Sequence, residues 1–83
     1  MKILYFAWLK EHTGTSTETM TLPDGVTTVA GLIPHITAKS AGHKTALANM
    51  DTVRIAVNRV YGDPSSLITD RDEIAFFPPV TGG

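Results

Sequence analysis

The most strand-like segments of this chain lie near its two ends. Residues 2–8 are aromatic and branched, with apolar side chains at both alternating positions, and residues 73–77 are similarly apolar. A strand that is apolar on both faces is typical of the interior of a sheet, where both faces are at least partly covered. We therefore expect the first and last strands to be neighbours at the centre of one sheet.

Further strands are predicted on either side of this pair. Residues 17–22 alternate threonine with Glu18, Met20 and Leu22, which indicates a half-exposed strand that forms a hairpin with the first. Residues 53–58 form another alternating segment, and turn clusters follow at 62–65 and 69–72.

One main helix is predicted after the turn at residues 23–25. Thr27 or Thr28 can cap it, and apolar residues then recur at helical spacing, so one face should be buried. Those residues are Val29, Leu32, Ile33 and Ile36. Pro34 interrupts the pattern, and an interior proline costs about 3 kcal/mol, so we expect a kink or a late start. We expect residues 40–43 to end this helix and residues 44–50 to form a short second one.

The order of these elements predicts the fold class. A hairpin, a helix and two or three further strands form an α+β roll of the β-grasp type if the crossover strand runs parallel to the first. We expect a mixed sheet of four to five strands with one main helix across one face. Residues 1–77 would form this domain, and residues 78–83 an extended tail.

Composition limits the classes of function. Eighty-three residues, 42% apolar and 18% charged, make one globular domain. The net charge of −1 gives no electrostatic reason to expect nucleic acid as a partner. Cysteine is absent, which excludes disulfides and thiolate catalysis and fits a reducing compartment, so we predict a cytoplasmic protein. No run approaches the roughly 20 apolar residues of a membrane span, so we expect no membrane partner.

The side chains do not predict an active site within the chain. His12, His35 and His43 lack metal-ligand spacing, and we interpret them as ordinary surface or loop histidines. No nucleophile elbow, P-loop or dinucleotide fingerprint occurs. The acidic residues at 70, 72 and 73 indicate a solvated turn rather than a metal site.

The C-terminal segment is the strongest functional signal. Pro78 and Pro79 favour extended polyproline geometry and should direct Val80, Thr81, Gly82 and Gly83 away from the domain. Glycine has no Cβ, so such a tail can enter a narrow channel. The reacting group would be the Gly83 carboxylate, which needs activation, usually adenylation by ATP. It could then pass to an amine, as in protein conjugation, or to a sulfur nucleophile, and the tail alone leaves both open.

One face of the predicted sheet should remain uncovered. We assign to the helix side a set of alternating residues: Ile3, Tyr5, Val57, Ile74 and Phe76. Phe6 and Phe77 then lie on the opposite face, with Tyr61 nearby. Three large apolar side chains together beside the root of the tail predict a partner interface.

The chain closely resembles a known family. Residues 69–83, ending Phe-Phe-Pro-Pro-Val-Thr-Gly-Gly, are similar to the small subunit of molybdopterin synthase, a sulfur carrier of molybdenum cofactor biosynthesis. The resemblance extends to residues 3–7 with Lys10-Glu11, and to residues 56–58. It implies the ubiquitin-like β-grasp fold.

The same resemblance implies a reaction cycle. An activating enzyme uses ATP to adenylate Gly83, and a sulfurtransferase replaces the AMP with sulfur to give a thiocarboxylate. The tail then enters the large subunit of molybdopterin synthase, in a heterotetramer, and donates sulfur to cyclic pyranopterin monophosphate to build the molybdopterin dithiolene. The catalytic side chains would belong to the large subunit, and the chain would bind no cofactor itself.

Two departures and three alternatives accompany this resemblance. Arg71 stands where the family turn usually has glycine, which would cost about 1 kcal/mol if the position needs a positive φ. Gly31 and Pro34 lie where family members carry an unbroken helix.

The alternatives are a ubiquitin-like modifier joined through Gly83 to lysines, a β-grasp interaction domain that does not use its glycines, and a sulfur carrier of another pathway, such as thiamine biosynthesis.

Overall fold

Five strands form one mixed sheet in the computed structural model, which describes residues 1–79. The strands are β1 (Lys2–Tyr5), β2 (Thr17–Thr19), β3 (Arg54–Val57), β4 (Val60–Gly62) and β5 (Glu73–Phe77), in the spatial order β2-β1-β5-β3-β4. β5 runs parallel to β1 and antiparallel to β3. The first and last strands are therefore central neighbours, which confirms the prediction.

The helical segments lie between β1 and β2 and between β2 and β3. They are α1 (Trp8–Thr13), α2 (Val29–Thr37), α3 (Ala41–Ala46) and a 3-10 turn at Met50–Thr52. α2 is the longest and is the predicted main helix. Within residues 1–79, no helix is long and apolar enough to cross a membrane. The mixed sheet with α2 on one side confirms the β-grasp roll.

The core lies between the sheet and α2. Ile3, Tyr5, Ile74 and Phe76 are fully buried, as assigned, together with Val29, Leu32 and Ile36 of the helix. Val57, which was assigned to the same side, is only partly buried, and Ile55 of the same strand is the buried residue. The alternation of each strand thus separates a core face from an open face.

β1 is shorter than predicted because the backbone turns sharply after it. Ala7 has φ 54° and ψ −133°, and the Leu9 N–H donates to the Phe6 carbonyl at 3.2 Å, which closes a tight turn. Trp8 therefore begins α1 and does not extend the strand. β2 is shorter too, since it ends at Thr19 and not at Leu22.

The helix boundaries after α2 also differ from the prediction. α2 ends at Thr37, and residues 40–43 begin α3 instead of ending α2. The Ser40 hydroxyl accepts a hydrogen bond from the His43 backbone N–H at 3.1 Å. Serine is a favoured N-cap residue, so this segment was a start signal that we had interpreted as a stop.

Pro34 lies inside α2, in its second turn. Thr28 caps the helix, and its hydroxyl accepts from the Gly31 N–H at 3.2 Å, so the helix does not start late. We expect Pro34→Ala to raise the free energy of unfolding by about 1–2 kcal/mol, because it restores a backbone hydrogen bond and removes a steric clash, partly offset by the freer unfolded chain. Chemical denaturation would measure this. The exposed neighbour His35→Ala serves as the control, and a loss of stability in Pro34→Ala would show that the fixed φ of proline favours folding.

A buried polar network joins β1, β2 and α3. The Tyr5 hydroxyl donates to the Glu18 carboxylate at 2.8 Å, and His43 Nε2 lies 3.0 Å from the same carboxylate. His43 Nδ1 lies 2.7 Å from the Ser40 hydroxyl. Burial raises the pKa of the Tyr5 phenol, and the hydrogen bond and charge of Glu18 raise it further. The prediction that His43 is an ordinary surface or loop histidine is therefore wrong. His43 is a buried residue of α3, and Glu18 and Ser40 are its side-chain partners.

Removing the centre of this network should destabilise the domain. Glu18→Ala leaves the Tyr5 hydroxyl and His43 Nε2 without their partner, so we expect a loss of about 2 kcal/mol in the free energy of unfolding. Thr19→Ala, at an exposed site on the same strand, should change it by less than about 0.5 kcal/mol. Denaturant titrations of both variants test this, and equal losses would mean that the network contributes nothing beyond strand propensity.

Candidate functional site: the open sheet face and the root of the tail

The strand that precedes the predicted tail lies at the centre of the sheet. β5 ends at Phe77, and Pro78 and Pro79 follow it, half-buried and outside regular secondary structure. Val80, Thr81, Gly82 and the predicted reactive Gly83 lie outside the residues that the structure describes. The division into a domain of residues 1–77 and a tail of residues 78–83 thus stays a prediction.

Asn58 fixes the start of β5. Its side-chain oxygen accepts from the Glu73 N–H at 2.9 Å, and its Nδ2 donates to Asp72 at 2.9 Å. Asp72 also accepts from the Thr69 N–H at 2.7 Å. These hydrogen bonds hold the pKa of the Asp72 carboxyl below its usual range, and the bond from Asn58 has the largest effect. The strand that leads into the tail is therefore anchored at its first residue.

The turn before β5 accommodates Arg71 without a positive φ. The positive φ values of residues 1–79 occur at Ala7, Asn58, Arg59 and two glycines. The turn closes through the Asp72 N–H, which donates to the Thr69 carbonyl at 3.1 Å. The cost that we attached to replacing glycine with Arg71 thus does not arise.

The three aromatic residues that we predicted as an interface lie together on the open face. Phe6 is 49% exposed and Tyr61 is 77% exposed, whereas Phe77 is half-buried with its ring centroid 5.8 Å from that of Tyr61. The Phe6 N–H donates to the Phe76 carbonyl at 3.1 Å, which continues the β1–β5 pairing and places Phe6 beside Phe77. All three line one open groove, which Pro78 also borders.

Small residues form the floor of this groove. Ala56 of β3 pairs with Ala75 of β5, which pairs with Leu4 of β1. Because the two alanines are short, the flanking aromatic rings stand above them. We call this surface, formed by Leu4, Phe6, Ala56, Tyr61, Ala75, Phe77 and Pro78, the aromatic groove.

The arrangement is suited to holding a partner while presenting the tail. Among residues 1–79, no three His, Asp or Glu side chains gather as a metal site. Pro78, where the predicted tail begins, lies at the border of the aromatic groove. A surface that covers the groove would therefore also contact Pro78, the first residue of the predicted tail.

Sequence reasoning missed two features, of which the second borders the aromatic groove. The Tyr5–Glu18–His43 network was missed because its members are far apart in sequence, although a glutamate on an otherwise threonine-rich strand was a signal. The positive φ of Arg59 was missed because we did not interpret Asn58-Arg59 as a two-residue hairpin turn. That turn joins Val57 to its cross-strand partner Val60, and Asn at its first position is typical of the type.

The comparisons with known proteins agree in both sequence and structure. Residues 3–83 match the model of the ThiS family. The chain is 39% identical to the molybdopterin synthase sulfur carrier subunit of Escherichia coli, with 100% of this chain and 99% of that protein covered. It is 36% identical to the subunit of the same name from Haemophilus influenzae, at the same coverage.

Two solved structures share the fold. SAMP1 from Haloferax volcanii superposes with a TM-score of 0.80 at 25% identity and covers 100% of this chain and 98% of its own. A putative molybdopterin converting factor subunit 1 from Pyrococcus furiosus gives a TM-score of 0.69 at 27% identity, with 95% of each chain covered.

Proposed function

The chain belongs to the ThiS family, and on that premise we propose that it is the sulfur carrier of a molybdopterin synthase, with Gly83 as the carrying residue. The observation that supports this most is the continuity of the aromatic groove with Pro78, at the root of a tail that ends in Gly-Gly. A carrier must be held by its partner while its terminus reacts elsewhere, and this arrangement separates the two tasks.

In the proposed cycle the chemistry occurs at one carboxyl group. A Gly83 carboxylate oxygen attacks the α-phosphate of ATP on an activating enzyme, and pyrophosphate leaves. The persulfide of a sulfurtransferase attacks the carbonyl carbon, and AMP leaves with the oxygen. A second thiol then cleaves the resulting acyl disulfide, which releases the thiocarboxylate and leaves a disulfide on the sulfur donor. The thiocarboxylate then gives its sulfur to cyclic pyranopterin monophosphate in the large synthase subunit, and water restores the carboxylate. Two deliveries supply the two sulfurs of the dithiolene.

The side chains of residues 1–79 would act by positioning in this cycle. Phe6, Tyr61 and Phe77 would seat the domain on the large subunit, in a heterotetramer, and Pro78 and Pro79 would stiffen the exit of the tail. Aromatic side chains supply large contact areas at interfaces. The adenylating enzyme and the sulfurtransferase would be the other partners, and the carrier itself would bind no cofactor.

A second candidate function is protein modification. The fold is shared with SAMP1, and another Haloferax volcanii structure bears the name small archaeal modifier protein 1. A modifier would join the same activated Gly83 to lysine amines instead of taking up sulfur. The two candidates differ in the product at Gly83 and not in the domain.

The mass of the intact protein from its native host tests the proposal. We expect a fraction of the molecules to carry one sulfur in place of one oxygen, and we expect alkylation of the thiocarboxylate to shift that fraction alone. The matched control is the same protein extended by one alanine beyond Gly83, which should show no such fraction. Isopeptide-linked adducts without any thiocarboxylate would contradict the proposal and favour the modifier.

A further inference from the structure

The near-neutral charge of the whole chain conceals an uneven distribution. Four cations border the open face: Lys2, Lys10, Arg54 and Arg59. Glu73 is the carboxylate that lines the aromatic groove, and Asp51 and Asp63 line a separate pocket beside Arg54. These four cations and Glu73 together carry a formal charge of +3, and since the chain totals −1, the remaining charged residues carry −4.

The four cations flank the apolar centre at both ends. Lys2 pairs in register with Glu73, and Arg59 Nε lies 3.9 Å from a Glu73 oxygen, so these two cations lie on either side of Glu73 at one end. At the other end, Arg54 pairs in register with Phe77. Lys10 of α1 lies beside Phe6 at that end. The aromatic groove thus has a basic rim, which we define as these four cations.

The Arg59 guanidinium is available to a partner. Its side chain is 89% exposed, and an ion pair at 3.9 Å with one partner so exposed contributes little, so Glu73 does not neutralise Arg59 effectively. Arg59 also has a φ of 68°, in the left-handed region where glycine would cost less. A strained residue beside a candidate interface is a reason to look for function in its side chain.

From this charge pattern we infer the chemistry of the surface that docks on the open face: an apolar centre edged by carboxylates opposite the basic rim. The inference rests on the proposed function, because it describes the surface of the large synthase subunit that seats this domain. Opposite charges around an apolar centre accelerate encounter and fix orientation more than they add affinity. The size of the apolar centre favours a protein over a nucleic acid, whose phosphates would need cations along the binding surface itself.

Two double variants with equal net charge test the inference. Arg54→Gln/Arg59→Gln removes two cations from the rim, and Lys39→Gln/Lys44→Gln removes two exposed cations from the helical side. Stopped-flow association with the purified large subunit would be measured at low and high salt. We expect the rim variant to associate about 10-fold more slowly than wild type at low salt and to converge with it at high salt. The helical-side variant should stay within about 2-fold of wild type.

The outcomes separate the inference from the proposed function. Absence of wild-type binding at any salt would overturn the proposed function and the inference with it. Wild-type binding with equal salt dependence in both double variants would overturn the inference alone. It would also be overturned if the rim variant bound the large subunit like wild type but lost binding to a single-stranded DNA oligonucleotide, because the rim would then serve nucleic acid.

Discussion

Deletion of Gly83 should abolish sulfur transfer and leave the melting temperature within about 2 °C of wild type. The described core is built from residues between Met1 and Phe76, so the last residue is not needed to fill it. Deletion moves the carboxylate back by about 3.5 Å, one extended residue, and misplacement by even 1 Å can cost about 100-fold in rate. A single-turnover assay with the activating enzyme, the sulfurtransferase and the large subunit measures the transfer.

A second tail variant separates reach from width. Gly83→Ala keeps the carboxylate at the same distance but adds a Cβ, so it should slow transfer without abolishing it if the channel of the partner is narrow. Thermal melting of both variants is the control for folding. Normal transfer by the deletion variant would show that Gly83 is not the carrier, and a melting temperature lower by many degrees would show that the tail is part of the core.

Phe77→Asp should weaken binding to the large subunit by about 2 kcal/mol or more, roughly 30-fold in Kd, and leave the domain folded. Interfaces concentrate their energy in a few aromatic anchors. Phe77 stands on the open face against Tyr61 and is already half-exposed, so a carboxylate there can stay hydrated. Calorimetric titration gives the affinity, and circular dichroism melting on the same sample gives the stability.

The adjacent phenylalanine provides the matched control. Phe76 is fully buried and its ring stacks with Tyr5 at a centroid distance of 6.1 Å. Phe76→Asp would bury an unpaired charge among apolar side chains, so it should unfold the domain. If Phe76→Asp folds and Phe77→Asp does not, the assignment of the two faces of β5 is wrong.

The sheet could be predicted from the sequence because its signals are local. The alternation of apolar residues in β1 and β5 predicted one shared face for four side chains: Ile3, Tyr5, Ile74 and Phe76. The central position of the two strands was predicted because each strand has apolar residues on both of its faces. The position of Phe6 and Phe77 on the other face required only a strand period of two. The groove was therefore predictable from alternation once one helix was assigned to one face.

The helix boundaries and the polar network could not be predicted in the same way. The end of β1 depends on a positive φ at Ala7, a conformation that alanine disfavours and that only the surrounding packing can impose. The burial of His43 depends on Glu18, 25 residues away, and no sequence spacing indicates such a pair. Local propensity predicts whether a segment is a helix or a strand, but tertiary contacts decide at which residue the segment ends.

The central position of β5 has a consequence for how the domain assembles. In the order β2-β1-β5-β3-β4, this strand alone connects the β1–β2 hairpin to the β3–β4 hairpin within the sheet. The two hairpins can form early from local contacts. Pairing β1 with β5 requires closure of the long loop between them, and the entropic cost of that closure precedes the stabilisation that the strand pairing provides. Until then neither Phe6 nor Tyr61 has Phe77 as a neighbour, so the aromatic groove does not exist. A partner that recognises the groove would thereby bind only chains whose last strand is in place, and would reject nascent or misfolded copies without a separate checkpoint.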